Sequence, residues 1–195
     1  MYKVKDPDPK IIARMRSYEE TAAEIGQHQV VSDEMMRKAE VLRTYLIKSR
    51  VGPLKLVARM HKYADQYVKH EGIVEESICQ KGCAHCCSLD VDVPIIEALY
   101  IAEKIGLTAV SRTKRIKTGY HKNKEYCPFL DQETATCTIY EVRPMACRTF
   151  FALDHVDYCE EGEGEHAITP LIGLGPVGSF YGELINMGKN RYADI

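Results

Sequence analysis

Eight cysteines, most of them in ordered blocks, constrain this chain more than any other feature of its sequence. The chain has 195 residues, with no cysteine before Cys79 and none after Cys159, and four of the eight lie between Cys79 and Cys87. Buried apolar cysteines are usually scattered, so packing alone does not explain this density. The eight candidate metal ligands are Cys79, Cys83, Cys86, Cys87, Cys127, Cys137, Cys147 and Cys159.

The redox compartment decides between disulfides and metal ligands. The N-terminal residues contain no apolar signal region, so we expect a cytoplasmic protein. In the cytoplasm thiols stay reduced or bind metal, and structural disulfides are rare. The cysteines therefore predict a metal site rather than a disulfide framework.

The spacing of the cysteines is typical of sulfur ligands. Two residues separate Cys83 from Cys86, a metal-knuckle spacing that lets a tight turn aim both sulfurs at one ion. Cys86 and Cys87 are adjacent, so their side chains should diverge and fit one tetrahedral ion poorly. Two interpretations stay open: two centres that share this loop, or one ligand beside one packing thiol. Because one Zn²⁺ or one [4Fe-4S] cluster needs about four ligands, eight thiols predict one or two centres.

Other residues near the blocks are less clearly assigned. Cys159 lies outside the dense blocks and is open to being either a ligand or a loop thiol. We expect His85 to lie beside the metal without binding it, because the neighbouring thiolates suffice. Cys147 falls in the first turn of a helix begun by Pro144, which predicts a lowered thiol pKa. Ordinary surface or core positions are expected for His61, His70, His121 and His155.

Hydrophobic periodicity predicts three helices before the first cysteine. They cover residues 8–27, a segment beginning at the cap Ser32, and a segment from Pro53 to about His70. We expect these helices to pack over the metal core. A helical hairpin that binds a protein partner or a second copy of the chain is the alternative.

The remaining pattern predicts a mainly α fold, a helical domain with a short β-hairpin built around a cysteine-rich metal site. A helix over 95–105 lies between Pro94 and Gly106, and short strands at 127–130 and 136–140 form the hairpin. The last helix is predicted from about Ser179 to Met187. We expect one domain with three regions: an N-terminal helical region at 1–75, a cysteine-cluster core at 76–160, and an acidic loop, glycine-rich bend and final helix at 161–195.

Charge and hydropathy exclude several classes of protein. A net charge of -2 excludes a broadly basic surface that coats nucleic acid. No apolar run approaches the roughly 18 to 20 residues that cross a bilayer, so we expect no membrane partner. The basic stretch from Arg112 to Lys124 could bind nucleic acid or a protein partner. A metal-stabilised adaptor is therefore a less favoured alternative function. The glycine-rich segment at 173–178 is expected to be a bend, because Pro176 interrupts its similarity to a nucleotide loop.

Three cysteine blocks in order resemble a known family. They read Cys79-x3-Cys83-x2-Cys86-Cys87, then Cys127-Pro128-Phe129-Leu130, then Cys137-Thr138-Ile139-Tyr140-Glu141-x-Arg143-Pro144-x2-Cys147-Arg148. Over residues 78–150 this pattern resembles the YkgJ-type cysteine-cluster family, whose usual first block is CxxCxxCC. This chain has three residues in the first gap. The resemblance implies metal binding by a zinc- or iron-chelating domain, and it assigns no pathway.

A related group suggests an enzymatic alternative. The flagellin lysine N-methylases are similar in their cysteine block, which implies an Fe-S-dependent protein-modifying or redox enzyme as a second interpretation. The sequence has no clear S-adenosylmethionine loop to support it, so enzymatic activity is left open. We expect Arg143, Arg148 and Tyr140 to support the cofactor without binding it directly. The guanidinium groups would neutralise the charge of the thiolates, and the tyrosine would pack over the site. Substrate recognition is the alternative role for these three residues.

Overall fold

The protein is described by a computed structural model covering residues 6–25, 31–48, 52–108, 110–112, 126–161, 165–169, 175–188 and 192–194. The helices are α1 (Pro9–Ile12), α2 (Tyr18–Ile25), α3 (Asp33–Lys48), α4 (Pro53–His70), α5 (Ile73–Glu76), α6 (Ile95–Ile105), α7 (Met145–Arg148), α8 (Val156–Glu161) and α9 (Pro176–Met187). The strands are β1 (Val93–Pro94), β2 (Val110–Arg112), β3 (Leu130–Asp131), β4 (Thr136–Cys137) and β5 (Tyr192–Asp194). Helices dominate, which confirms the predicted mainly α class.

Two short helices replace the single helix predicted over 8–27. Between them, the N–H of Arg16 donates to the carbonyl of Asp154 at 3.0 Å, which takes the chain out of helical geometry. Ser17 and Glu20 then form a capping box at the start of α2. The N–H of Glu20 donates to the Ser17 hydroxyl at 3.2 Å, and the Glu20 carboxylate accepts the N–H of Ser17 at 3.0 Å. The prediction was wrong because the apolar stripe continues across this break.

The longest helices begin as their capping residues predict. The Ser32 hydroxyl accepts the N–H of Met35 at the start of α3, and Pro53 occupies the first turn of α4. Gly106 ends α6 in the left-handed conformation, with φ of +73°. α9 begins at Pro176, three residues before the predicted Ser179, because proline fits the first helical turn.

A large hydrophobic core joins α3, α4, α6 and α9. The Tyr63 ring lies edge-on to Phe180 with centroids 5.1 Å apart, and its hydroxyl donates to the Met35 carbonyl at 3.0 Å. Ile96 of α6 and Met145 of α7 belong to the same core. The helices therefore form a support for the segment that carries Cys147. Within the described residues, no helix combines the length and apolarity needed to cross a membrane.

Two small antiparallel sheets complete the fold. β1, β5 and β2 pair in that order, with Val93 and Ser111 on either side of Ala193. Strands of two or three residues are too short to show an alternating pattern, so the sequence did not predict this sheet. β3 and β4 form the predicted hairpin, in which Leu130 pairs with Cys137, although its strands are shorter than expected.

We expect Gly175→Ala to lower the free energy of unfolding by about 1 to 3 kcal/mol. Gly175 has φ of +50°, and a Cβ atom there would lie 3.0 Å from a methyl group of Val31. Gly182→Ala in α9 is the matched control, because nothing lies within 4 Å of its added Cβ. Since alanine favours helix, that variant should be neutral or more stable by up to about 1 kcal/mol. Urea denaturation of both variants measures the difference, and equal effects would contradict the prediction.

Candidate metal centre

The first cysteine block is a turn followed by a short 3-10 helix. The N–H of Cys83 donates to the Gln80 carbonyl at 3.1 Å, and Gly82 adopts φ of +92°, a conformation that favours glycine. The 3-10 helix spans His85–Ser88 and contains the adjacent pair of cysteines. The thiols of this pair hydrogen-bond to each other. The divergence expected for adjacent side chains therefore does not separate their sulfur atoms.

The β-hairpin brings the second block to the first. The N–H of Cys127 donates to the carbonyl of Cys87 at 2.8 Å, which joins the two blocks through the backbone. The N–H of Leu130 donates to the Cys127 carbonyl at 3.0 Å, and β3 pairs Leu130 with Cys137. Cys127 and Cys137 interact electrostatically as a result. This confirms the expectation that the hairpin would bring these two thiols near each other.

A buried carboxylate anchors the third block. Glu97 of α6 has no exposed surface, and its Oε1 accepts the N–H of Met145 at 2.6 Å. The Nε2 of His61 lies 2.5 Å from the same oxygen. Met145 is the first residue of α7, the helix that carries Cys147. Glu97 therefore fixes the start of the helix on which this candidate ligand lies.

Electrostatic interactions among the thiols divide them into two groups. The loop group consists of Cys79, Cys83 and Cys159. The hairpin group consists of Cys127, Cys137 and Cys147. Cys86 interacts with members of both groups, and α8 packs against the 3-10 helix that contains it. The fold thus brings cysteines from all the sequence blocks, together with Cys159, to one region of the molecule.

Burial raises the pKa of thiols in both groups. It raises the pKa of Cys79 to about 12, although this side chain keeps exposed surface, and thiolate charge at Cys86 and Cys83 adds to the effect. Burial, followed by charge at Cys86 and Cys127, also raises the pKa of Cys147. The lowered pKa predicted for Cys147 was wrong, because desolvation outweighs the start of a four-residue helix. Without metal these thiols are protonated near neutral pH, so a bound ion would displace protons.

The donor set fits a metal that prefers sulfur. Backbone N–H groups donate to three of the sulfur atoms: Ala152 to Cys79 at 3.4 Å, His85 to Cys83, and Phe129 to Cys127. Such donors stabilise the negative charge that a thiolate carries when it binds metal. Tetrahedral sulfur sites suit zinc and iron-sulfur clusters alike.

A positive charge faces the thiols. The pKa of Cys79 and Cys147 is raised by burial, and that of Cys86 is raised by its contact with Cys87 and by burial; in all three the guanidinium of Arg143 acts in the opposite direction and is outweighed. Its Nε is buried and has no hydrogen-bond partner among the residues that the structure describes. The same guanidinium lies 4.0 Å from the ring centroid of Tyr140. A thiolate centre would give this partly buried cation its counter-charge.

Comparison with known protein families agrees with this geometry. Residues 78–165 match the family described as "CxxCxxCC: Putative zinc- or iron-chelating domain". The match covers less than half of the chain and shows that this segment is similar to the CxxCxxCC domain. No curated protein and no solved structure matches the chain. The CxxCxxCC domain contains all eight cysteines, extends beyond the resemblance seen over 78–150, and supports metal binding.

Arg148 of the CxxCxxCC domain faces away from the thiols. It is 3% exposed, and its NH1 donates to both carboxylate oxygens of Asp65, at 2.8 and 2.6 Å. Its Nε donates to the Arg143 carbonyl at 2.9 Å, and its NH2 donates to the Glu141 carbonyl. Arg148 therefore holds the segment that carries Arg143. Tyr140 is 55% exposed, and the cofactor contacts predicted for these three residues stay predictions.

Sequence reasoning missed a second polar arrangement within and beside the CxxCxxCC domain. The Nε2 of His166 lies 3.3 Å from the Sγ of Cys159, and its Nδ1 lies 2.7 Å from Oδ1 of Asp154. Asp154 has no exposed surface. It follows the apolar residues 150–153, and an acid at the end of such a run needs a partner if it is buried. An acid that ends an apolar run is a signal that could have identified Asp154. The residues around Asp154 in the sequence do not indicate that His166 is its partner.

The other predicted histidines have ordinary surroundings. His61 is a buried core residue paired with Glu97. His70 and His155 are partly exposed and lie near carboxylates, at 3.1 Å from Glu34 and 3.4 Å from Asp157 respectively. His121 and the basic residues 114–124 lie outside the described residues.

The side chains do not yet form a closed metal site. Across the described part of the chain, no three His, Cys, Asp or Glu side chains stand in positions that could hold a metal ion. The sulfur atoms would therefore have to turn toward one another when metal binds. Rotation between staggered rotamers is one way in which a cysteine side chain can redirect its sulfur atom.

Proposed function

We propose that this protein binds Zn²⁺ or an iron-sulfur cluster through seven of its eight cysteines, in two centres. The observation that carries the proposal is the gathering of these thiols beside backbone N–H donors and the guanidinium of Arg143, whose Nε is buried. An apolar core would gain nothing from such donors, whereas thiolates would be stabilised by them. The match to a zinc- or iron-chelating domain over residues 78–165 supports the same conclusion.

The two thiol groups suggest how the ligands are divided. The hairpin group with Cys86 gives the four sulfur ligands that one Zn²⁺ or one [4Fe-4S] cluster requires. The loop group contributes its three thiols to the other centre. Cys87 belongs to neither thiol group and hydrogen-bonds to the adjacent Cys86, so we propose that it is a packing thiol and not a ligand.

The rest of the chain is proposed to support these centres. The regions 1–75, 76–160 and 161–195 would form one domain, and the core shared by Met35, Met145 and Leu184 supports this. The cytoplasm is the proposed compartment, because free thiols persist there. The enzymatic and adaptor alternatives, and a partner bound through the N-terminal helices, stay predictions.

Anaerobic purification followed by elemental analysis and visible spectroscopy tests the proposal. We expect about two zinc ions per chain and no colour if the centres hold zinc, because each tetrahedral ion takes about four ligands. Charge-transfer absorption that bleaches with dithionite, with iron and sulfide in the sample, would identify iron-sulfur clusters instead. Protein that contains neither metal, and takes up none when Zn²⁺ or iron and sulfide are added, would overturn the proposal.

A further inference from the structure

Cys159, His166 and Asp154 form a chain of contacts next to the loop group. Cys159 lies on α8, and its Sγ is 3.3 Å from Nε2 of His166. The other ring nitrogen of His166 is 2.7 Å from Oδ1 of Asp154. Nε2 and Nδ1 of one imidazole thus meet a thiol on one side and a carboxylate on the other.

The position of Asp154 is fixed by the backbone around it. Its Oδ2 accepts the N–H of Ala167 at 2.6 Å, and the N–H of Leu153 donates to the Ala167 carbonyl at 2.9 Å. Ala152 and Ile168 form an antiparallel bridge beside this pair. These bonds hold both segments and keep the carboxylate within ion-pair distance of the imidazole, although Oδ1 of Asp154 and Nδ1 of His166 do not form a hydrogen bond with each other within the described residues. Such preorganisation is what a ligand-orienting residue requires.

The same segment also contacts the loop group. The N–H of Ala152 donates to the Sγ of Cys79 at 3.4 Å, and the N–H of Ile78 donates to the Ala152 carbonyl at 2.9 Å. Cys159 interacts electrostatically with both Cys79 and Cys83. The imidazole of His166 is therefore next to the centre for which the proposed function supplies only three thiols.

We propose that His166 is the fourth ligand of the loop-group centre and that Asp154 positions it. This inference rests on the proposed function, which it deepens. Zn–S and Zn–N bonds of about 2.3 and 2.0 Å place tetrahedral ligand atoms roughly 3.5 Å apart, close to the observed sulfur–nitrogen distance. A carboxylate on the far nitrogen is the usual partner of a metal-binding histidine. The resulting Cys3His set is a structural zinc set, which makes Zn²⁺ the metal of this centre.

A cysteine–histidine–aspartate contact could also serve a nucleophilic thiol. The surroundings favour the metal. Cys159 packs against the apolar cluster of Ile11, Ile78 and Ala152, which supplies no positive charge to stabilise the thiolate that an activated nucleophile needs. A bound cation would supply that charge.

Cobalt substitution and X-ray absorption test the role of His166. Wild-type protein loaded with Co²⁺ should have nitrogen as well as sulfur in its first coordination shell. His166→Ala should remove the nitrogen and weaken one of the two centres by more than about 100-fold, and Asp154→Asn should weaken it about 10- to 100-fold. His166→Cys should restore tight binding with sulfur ligands alone, which keeps the test valid if the alanine variant folds poorly. His155→Ala is the matched control, since His155 is partly exposed and lies 3.4 Å from Asp157, and it should change nothing.

The outcomes separate this inference from the proposed function. If wild-type protein binds no metal, the proposed function fails. If wild-type protein binds metal and His166→Ala keeps the same affinity and coordination shell, His166 is not a ligand and the inference alone is overturned. Rapid alkylation of Cys159 by iodoacetamide in metal-loaded protein, abolished by His166→Ala, would overturn it in favour of a nucleophilic thiol.

Discussion

Cys147→Ser is expected to halve the metal content of the protein, from about two ions per chain to about one. Cys147 is one of four thiols assigned to the hairpin-group centre, and a tetrahedral sulfur site that loses a thiolate binds far more weakly. The loop group shares no ligand with this centre in the proposed division. Its metal should therefore remain. Elemental analysis of anaerobically purified protein, corrected for protein concentration, measures the change.

Cys87→Ser is the control for this experiment. Cys87 belongs to the same domain, but it lies in neither thiol group and hydrogen-bonds to the adjacent Cys86, so its replacement should leave metal content unchanged. Loss of both metals in Cys147→Ser would contradict two independent centres and favour one shared site. Loss of metal in Cys87→Ser with retention in Cys147→Ser would reverse the assignment of these residues.

The local parts of the fold could be predicted because each is marked by its own residues. Pro53 and Gly106 set helix boundaries that the structure confirms, since proline and glycine act on the backbone directly. The break in the predicted helix at 8–27 was missed because a distant carbonyl, that of Asp154, takes up the N–H of Arg16. Periodicity contains no information about such long-range partners.

The candidate site was predictable to the same extent. Spacing marked the eight cysteines as candidate ligands, which stays a prediction, and the hairpin explains why Cys127 and Cys137 lie near each other. The polar residues around them were not found, because Glu97 and Asp154 come from segments without cysteines and act through burial. Each of these acids accepts a backbone N–H, at Met145 and Ala167 respectively, and such pairings exist only in the folded chain.

The acid at position 97 also leads to the largest expected effect on stability. Glu97→Ala should lower the free energy of unfolding by about 3 kcal/mol, because it leaves the Met145 N–H and the His61 ring without their acceptor in a buried site. The second carboxylate oxygen of Glu97 and Nδ1 of His61 have no hydrogen-bond partner within the described residues. The pair is therefore held by the Oε1 contacts alone, and nothing else would compensate for their loss.

Glu103→Ala is the matched control for Glu97→Ala, since both glutamates lie on α6. Glu103 is 55% exposed and pairs with its neighbour Lys104, so its loss should cost less than about 0.5 kcal/mol. Guanidinium denaturation of metal-free protein, with both variants at the same pH, gives the two values. A cost below about 1 kcal/mol for Glu97→Ala would mean that α7 holds its position without the carboxylate. If the loss of stability is as large as expected, metal titration should also show a lower affinity at the hairpin-group centre, because Cys147 lies on α7.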